Sequence, residues 1–242
     1  GGLAKAALIA TSGFTDVLEI GRHVRPDMYD LFQDKPSPIV PRNLRFGVEE
    51  RIGSDGSVVT QLDKGSVDAA IESIRTSGVQ AIAICLLHSY ANPDHETAIK
   101  QSIEQTLPGV NVSTSSGVCR EIREFERTST VALNASVQPV VDRYLSILEE
   151  RISELLPEAE VLLMQSNGGS MTVGAARQAP VNLIYSGPAG GALACQFVGR
   201  TTGRDNVMGF DMGGTSTDIA VVHHGEPVMA TEADVHGYPV KL

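Results

Sequence analysis

Apolar residues along this chain arrive in two rhythms. Ala6 to Ala10 and Val79 to Leu87 are apolar at almost every position, which predicts short strands buried on both faces. Between them, Val67 to Arg75 places apolar residues at helical spacing, and Gly78 ends that helix before the second buried run. Pro93 opens a further helix with Asp94 and Glu96 in its first turn, where the positive end of the helix dipole favours acids. "GVNVSTS" then returns as a strand. This alternation is that of a layered α/β domain whose apolar strands are covered by helices.

Other stretches punctuate that rhythm. Arg25 to Pro41 contains Pro26, Pro36, Pro38 and Pro41 and reads as a surface loop. "RFGVEERIGSDGSVVTQL" alternates apolar and polar residues around Ser54, Asp55 and Gly56, which predicts a hairpin. Residues 121–156 are helical in pattern, with Val137, Val140, Val141, Tyr144, Leu148, Ile152 and Leu155 on one apolar face. Pro139 marks a start or a kink there, so one linking helix or two in series are expected. After Pro157 come a strand "VLLM", a turn "SNGG", a strand "VNLI", a helix over residues 189–199 and a closing pair of strands fit for burial. The layout divides the chain into residues 1–120 and residues 121–242.

Composition narrows the partners. At 242 residues and 42% hydrophobic content the chain can bury one large core or two modest ones. A net charge of −10 argues against nucleic acid or an anionic membrane as the main partner, so an anionic ligand needs a local device to hold it. Cys85, Cys119 and Cys195 form an odd set without C-x-x-C spacing, which fits a reducing cytoplasm better than a disulfide framework. The apolar runs are too short to span a bilayer, and no signal-peptide pattern opens the sequence. Both ends read as cuts through a longer chain.

One stretch offers such a device. In "FDMGGTSTDIAVV", Phe210 to Val222, a strand delivers Asp211 to its end, and Gly213 with Gly214 lets the chain turn with positive φ and bring N–H groups close to a ligand. Thr215, Ser216 and Thr217 add hydroxyl donors suited to phosphate oxygens. A carboxylate beside phosphate requires a cation between them, so Asp211 implies Mg²⁺ held largely through water, while Asp218 braces the loop or orients a hydroxyl. A tight hairpin with ordinary turn formers is the competing reading. A second candidate is "YSGPAGG": a strand entering Ser186, Gly187 and Pro188, with Gly190 and Gly191 behind, aims a helix's positive end at one point. A plain strand-to-helix turn explains it as well.

Other chemistries find less support. Ile184 and Pro188 stand where a nucleophile elbow around Ser186 needs glycines. Cys85 and Cys119 read as structural, and His88, His95, Glu96, His223 and His224 lack a third ligand at recognisable spacing, so solvated or hydrogen-bonded histidines are expected.

Whole blocks of the chain resemble the hydantoinase A and 5-oxoprolinase family, within the actin, sugar-kinase and heat-shock ATPase superfamily. "DMGGTSTDIAVV" is similar to that family's second phosphate motif; "ALIATSGFTDVLEIGRH", "CLLHSYANPDHE", "EFERTSTVALNASVQP", "LLMQSNGG" and "SGPAGG" match its other blocks in order. The resemblance implies an α/β, ribonuclease H-like (actin-like ATPase) fold. Residues 1–120 would be an incomplete N-terminal lobe, and residues 121–242 the linking helix and first part of the ATPase lobe. It implies ATP- and Mg²⁺-dependent opening of a small cyclic amide such as hydantoin, N-methylhydantoin or 5-oxoproline, the carbonyl oxygen being phosphorylated before hydrolysis. The implied partner is a hydantoinase B type subunit or domain.

Carried over by position, Asp211 is the catalytic, Mg²⁺-associated acid. Gly213, Gly214, Thr215 and Thr217 contact phosphates, with Ser216 and Asp218 in the same loop, and Ser186, Gly187, Gly190 and Gly191 lie along the nucleotide cleft. Related subunits serve acetone and acetophenone carboxylases, one alternative; a nucleotide-binding module without turnover is another. Family members carry a further D-x-G-G-T-x-T-D loop upstream and a Gly-rich adenosine-binding segment downstream. This sequence has neither, so the piece alone is expected to hold ATP weakly.

Overall fold

The structure, a computed structural model, describes residues 2–22, 29, 30, 32, 36–235 and 237–241. It divides into two compact units, Gly1–Arg143 with Asp234–Lys241, and Tyr144–Ala233. Among the described residues no helix is long and apolar enough to cross a membrane.

In the first unit the early apolar run becomes β1 (Ala6–Thr11), followed by the single turn α1 (Val17–Ile20). The predicted loop from Arg25 to Pro41 falls in good part outside the described residues; residues 36–41 carry neither helix nor strand. β2 (Arg45–Val48) lies parallel to β1, with Leu8 opposite Arg45 and Thr11 opposite Val48. Only β3 (Arg51–Ile52) and β4 (Val58–Thr60) fold back as a hairpin. The predicted hairpin is thus shortened, because Val48 is completely buried in the main sheet. At its tip the Asp55 carboxylate accepts from the Ser57 hydroxyl at 2.7 Å and amide at 3.0 Å, which holds this exposed acid below its ordinary pKa.

α2 (Lys64–Arg75) begins where the Asp63 side chain accepts a hydrogen bond from Ser66 N at 2.7 Å. β5 (Ala81–Cys85), α3 (Asp94–Thr106), β6 (Asn111–Thr114) and the one-turn α4 (Ser115–Val118) complete the alternation. The four-stranded sheet has the order β2-β1-β5-β6 and is parallel throughout. Side chains alternate across a strand, so one apolar run builds two cores. Leu8, Ala10, Ala83 and Cys85 meet Val131, Ala132 and Ala135 of α5 (Glu124–Leu155); Ala7, Ile9, Ile82 and Ile84 meet Val67, Ile71, Ile74, Ile99 and Ile103 of α2 and α3. Each fully buried isoleucine contributes roughly 2–3 kcal/mol.

α5 is one helix of 32 residues with Pro139 inside it. The apolar face expected between Val137 and Leu155 is largely open: Val140, Tyr144 and Leu155 are exposed. The deeply buried stretch is instead Glu126 to Ser136, rich in small polar residues. Helical geometry satisfies Thr130 and Ser136 locally, their hydroxyls donating to the carbonyls of Glu126 and Ala132, while Asn134 donates across to Ser113 Oγ of β6 at 3.0 Å.

The second unit continues with β7 (Leu162–Met164) and β8 (Ser170–Thr172), joined by the expected turn in which Gly168 has φ +82°. α6 (Val173–Gln178) follows. "VNLI" is not a strand: Pro180–Leu183 is a 3₁₀ turn. Pro180 presets φ, the Asn182 amide bonds back to Ala179 O, and the Asn182 carbonyl is taken by Ser166 N and Oγ, leaving no strand partner. α7 spans Ser186–Thr202, starting earlier than residue 189 and ending on the left-handed Gly203. β9 (Val207–Met212), β10 (Thr217–His223) and β11 (Glu226–Pro227) form an antiparallel sheet. β12 (Glu232–Val235) leads back into the first unit, to which β13 (Tyr238–Lys241) belongs and in which Lys241 N donates to Thr130 Oγ1 at 3.0 Å.

Candidate functional site

β9 and β10 pair in a register that sets Asp211 directly opposite Asp218 and Met212 opposite Thr217. Two carboxylates facing each other on an antiparallel ladder repel, and no hydrogen bond to the described protein engages either of them. Residues 213–216 close the turn, with the Gly213 amide donating to Ser216 O at 2.9 Å. Everything from Asp211 to Asp218 is exposed.

The glycines of this turn behave differently from the expectation. Neither Gly213 nor Gly214 has positive φ, and the Gly213 N–H is spent inside the turn. A Cβ on Gly214 would meet no atom within 4 Å, and one on Gly213 would meet only Ser216 O at 3.5 Å. The fold itself therefore demands glycine at neither position. Two adjacent residues without side chains leave the loop backbone open to close approach from outside, or serve as ordinary turn formers.

α7 brings the second candidate to the same end of this unit. Gly199 packs against Val207 and Arg204 O, and Gly209 faces Cys195, so the helix lies against β9 and runs opposite to it. From Cys195 back to Ser186 the helix covers about 13 Å, and from Gly209 forward to Gly213 the strand also covers about 13 Å. The first turn of α7 thus reaches the level of the 213–216 loop. Gly187, Gly190 and Gly191 have no atom within 4 Å of where a Cβ would stand, although each glycine weakens a helix by about 1 kcal/mol relative to alanine. The strand expected before Ser186 is the 3₁₀ turn already described, so the anion-favouring end is that of a helix entered from another helical turn. Gly199, Gly209 and Cys195, which hold helix to strand, carried no signal in the sequence reading.

The remaining candidates are engaged in structure. His88 Nδ1 pairs with Ile52 O at 2.8 Å, His95 Nδ1 with Glu50 Oε2 at 2.8 Å, and His223 Nδ1 with Asn206 Oδ1 at 2.9 Å. Glu96 is fully buried and accepts from Leu86 N, Ser115 Oγ and Ser116 N. Among the described residues no three His, Cys, Asp or Glu side chains gather as a metal cage. Burial pushes the Cys85 thiol up, and that of Cys119 up to about 11, as expected of structural cysteines.

Comparison with known proteins agrees with this architecture. Residues 1–107 match the model of the hydantoinase/oxoprolinase N-terminal region, and residues 127–242 match that of hydantoinase/oxoprolinase. Caprolactamase subunit alpha of Pseudomonas jessenii is 37% identical over 98% of this chain, which covers 34% of that protein. 5-Oxoprolinase 1 of Arabidopsis thaliana is 32% identical over 89% of this chain, which covers 18% of it. The nucleotide-free structure of acetone carboxylase superposes with a TM-score of 0.85 at 28% identity, over 100% of this chain and 35% of the other. The chain therefore spans between 18% and 35% of the length of these relatives. Its fold is mixed α/β of the actin-like ATPase type. Two family models cover nearly all of the sequence between them, and the chain belongs to the hydantoinase/oxoprolinase family.

Proposed function

We propose that this chain is the part of an ATP-dependent cyclic amide hydrolase that carries one of its phosphate-binding loops. The carrying observation is the Gly213–Gly214 turn, whose missing side chains serve no packing or backbone need and lie beside two opposed, unengaged carboxylates. Relatives that include a caprolactamase alpha subunit and a 5-oxoprolinase support the substrate class, and the subunit names of the caprolactamase and of an acetone carboxylase beta subunit support a partner subunit, which on the family resemblance we take to be of hydantoinase B type.

The donor set fits a hydrated cation with a polyphosphate. Asp211 and Asp218 are two acids, too few for a dedicated cage but suited to Mg²⁺, which keeps most of its water. The Gly214 amide and the exposed Thr215, Ser216 and Thr217 hydroxyls supply neutral donors for phosphate oxygens, and the start of α7 adds its positive end, with Ser186 and Gly187 in its first turn and Gly190 and Gly191 in its second. When bound, MgATP supplies the phosphoryl group that turns a lactam or imide carbonyl oxygen into a leaving group. The loop's own task is positioning: its glycines admit the phosphates, its hydroxyls orient them, and Asp211 accepts hydrogen bonds from the ion's water.

The test is ATP consumption by the full-length protein with its partner subunit, across hydantoins, 5-oxoproline and caprolactam. Substrate-stimulated turnover that Asp211→Asn reduces by at least about a hundredfold is expected. Turnover by none of these substrates rejects the reading. The likeness to acetone carboxylase, and to an acetophenone carboxylase gamma subunit at 31% identity, supports a second reading: ketone- and bicarbonate-dependent ATP consumption. ATP binding without turnover under either regime identifies a non-catalytic nucleotide module.

A further inference from the structure

The first unit holds a buried cation that the nucleotide loop does not use. Arg127, in the first turn of α5, is 1% exposed. Its Nη2 donates to Leu86 O at 2.8 Å, its Nη1 donates to Ser89 Oγ at 3.2 Å, and its guanidinium lies 5.3 Å from the centre of the Tyr90 ring. Among the described residues it makes no ion pair, and its Nε is buried without a hydrogen-bond partner. The buried Glu96 carboxylate balances this guanidinium only indirectly, through Ser89 Oγ, which lies 2.8 Å from Ser115 Oγ, the donor to Glu96 at 2.6 Å, so Nε is left as a buried donor with nothing to bond.

Its position gives that charge a use. The chain passes from β1 to β2 on one side and to β5 on the other, so the carboxyl ends of β1 and β5 flank the topological switch point of the parallel sheet. Open α/β sheets form their ligand crevices at such points. Here a small cavity of about 10 Å³ is lined by Arg127 and Thr128 from α5, Phe14 and Val17 after β1, and Leu86 and Leu87 after β5. That is room for one oxygen-sized group, with half-buried Phe14 and Val17 at the edge. The rim is held in costly backbone conformations: His88 has φ +56° and Arg123, just before α5, φ +76°. Hydrogen bonds pin it as well, since Thr11 Oγ1 accepts from Leu87 N and donates to Glu50, which also binds His95.

We propose that this crevice binds a small oxyanion, a carboxylate or a phosphate, one oxygen of which accepts from Arg127 Nε. The positive end of α5 adds to the attraction. Glu124, which also lines the cavity, opposes it and limits affinity. The site uses residues of the first unit only and does not rest on the proposed role of the Gly213–Gly214 loop.

The test is a titration of the full chain labelled with ¹⁵N-arginine, following side-chain Nε–H resonances as formate, acetate or inorganic phosphate is added, with chloride at matched ionic strength as control. One resonance, lost in Arg127→Lys, should shift saturably with formate and acetate, or with phosphate, and the two arms distinguish planar from tetrahedral ligands. Glu124→Gln removes the opposing charge and should tighten binding roughly threefold. That variant keeps the guanidinium, so it decides the matter even if Arg127→Lys does not fold. An unsaturable shift, a response equal to that of chloride, or no tightening in Glu124→Gln overturns the proposal and leaves Arg127 as a structural clamp with water on its Nε.

Discussion

The sheets of the two units are built from similarly apolar strands and end in opposite states. In the first, every residue of β1 and β5 is buried, because helices cover both faces. In the second, α7 covers one face of β9 and β10, while Met208, Phe210, Met212, Ile219 and Val221 remain exposed. The expectation that both closing strands are buried is therefore corrected. Apolar sequence makes a strand possible, but a strand is buried only where a second layer packs on it. The exposed sheet carries the polar loop of the proposed nucleotide site, and the covered one carries the buried apolar core.

Substitutions should break that contrast in a definite order. Ile84→Ala, in the doubly covered sheet, should cost about 3–4 kcal/mol in urea unfolding, whereas Phe210→Ala should cost under about 0.5 kcal/mol. Equal losses would mean that the second sheet is covered in solution. Glu96→Ala should cost about 3 kcal/mol, because it orphans the amides of Leu86 and Ser116 and the Ser115 hydroxyl; Glu96→Gln should recover part of it.

Within the second unit the glycines sort by function. Gly209→Val drives a side chain into Cys195 and should cost about 2 kcal/mol of thermal stability. Gly214→Ala meets nothing and should change stability by under about 0.5 kcal/mol, while weakening any phosphate ligand of the full-length protein. A large stability loss at Gly214 would assign that glycine to the fold.

The smallest effect concerns the thiols. The folded state raises the Cys119 pKa from 9.0 to about 11, so it favours the protonated thiol. The associated stability is complete below pH 9 and fades as pH rises through 11; Cys119→Ala should flatten that alkaline decline in stability. Half-buried Cys195 should react with iodoacetamide at pH 8 before the buried Cys85 and Cys119.

Much of this was legible in the chain. Uninterrupted apolar runs located β1 and β5, helical spacing located α2 and α3, and Asp211 to Asp218 marked the loop that the strand register sets between opposed acids. "VNLI" misled because four apolar residues suit a strand or a single helical turn, and only its contacts with Ser166 decide between them. The buried half of α5 was hidden because Thr, Ser, Asn and Arg score as polar, though each finds a partner in the interior.

Local patterning and motif order, read without coordinates, were enough for the fold class, the family and the position of the glycine loop, since periodicity and turn chemistry act between near neighbours. Folding alone decided that neither glycine has a positive φ or a neighbour that excludes a Cβ, that α7 reaches their level, and that the Arg127 Nε is left without a partner at the switch point. Those facts depend on residues that are distant in the chain and adjacent in space, where burial and charge are fixed by what packs against them.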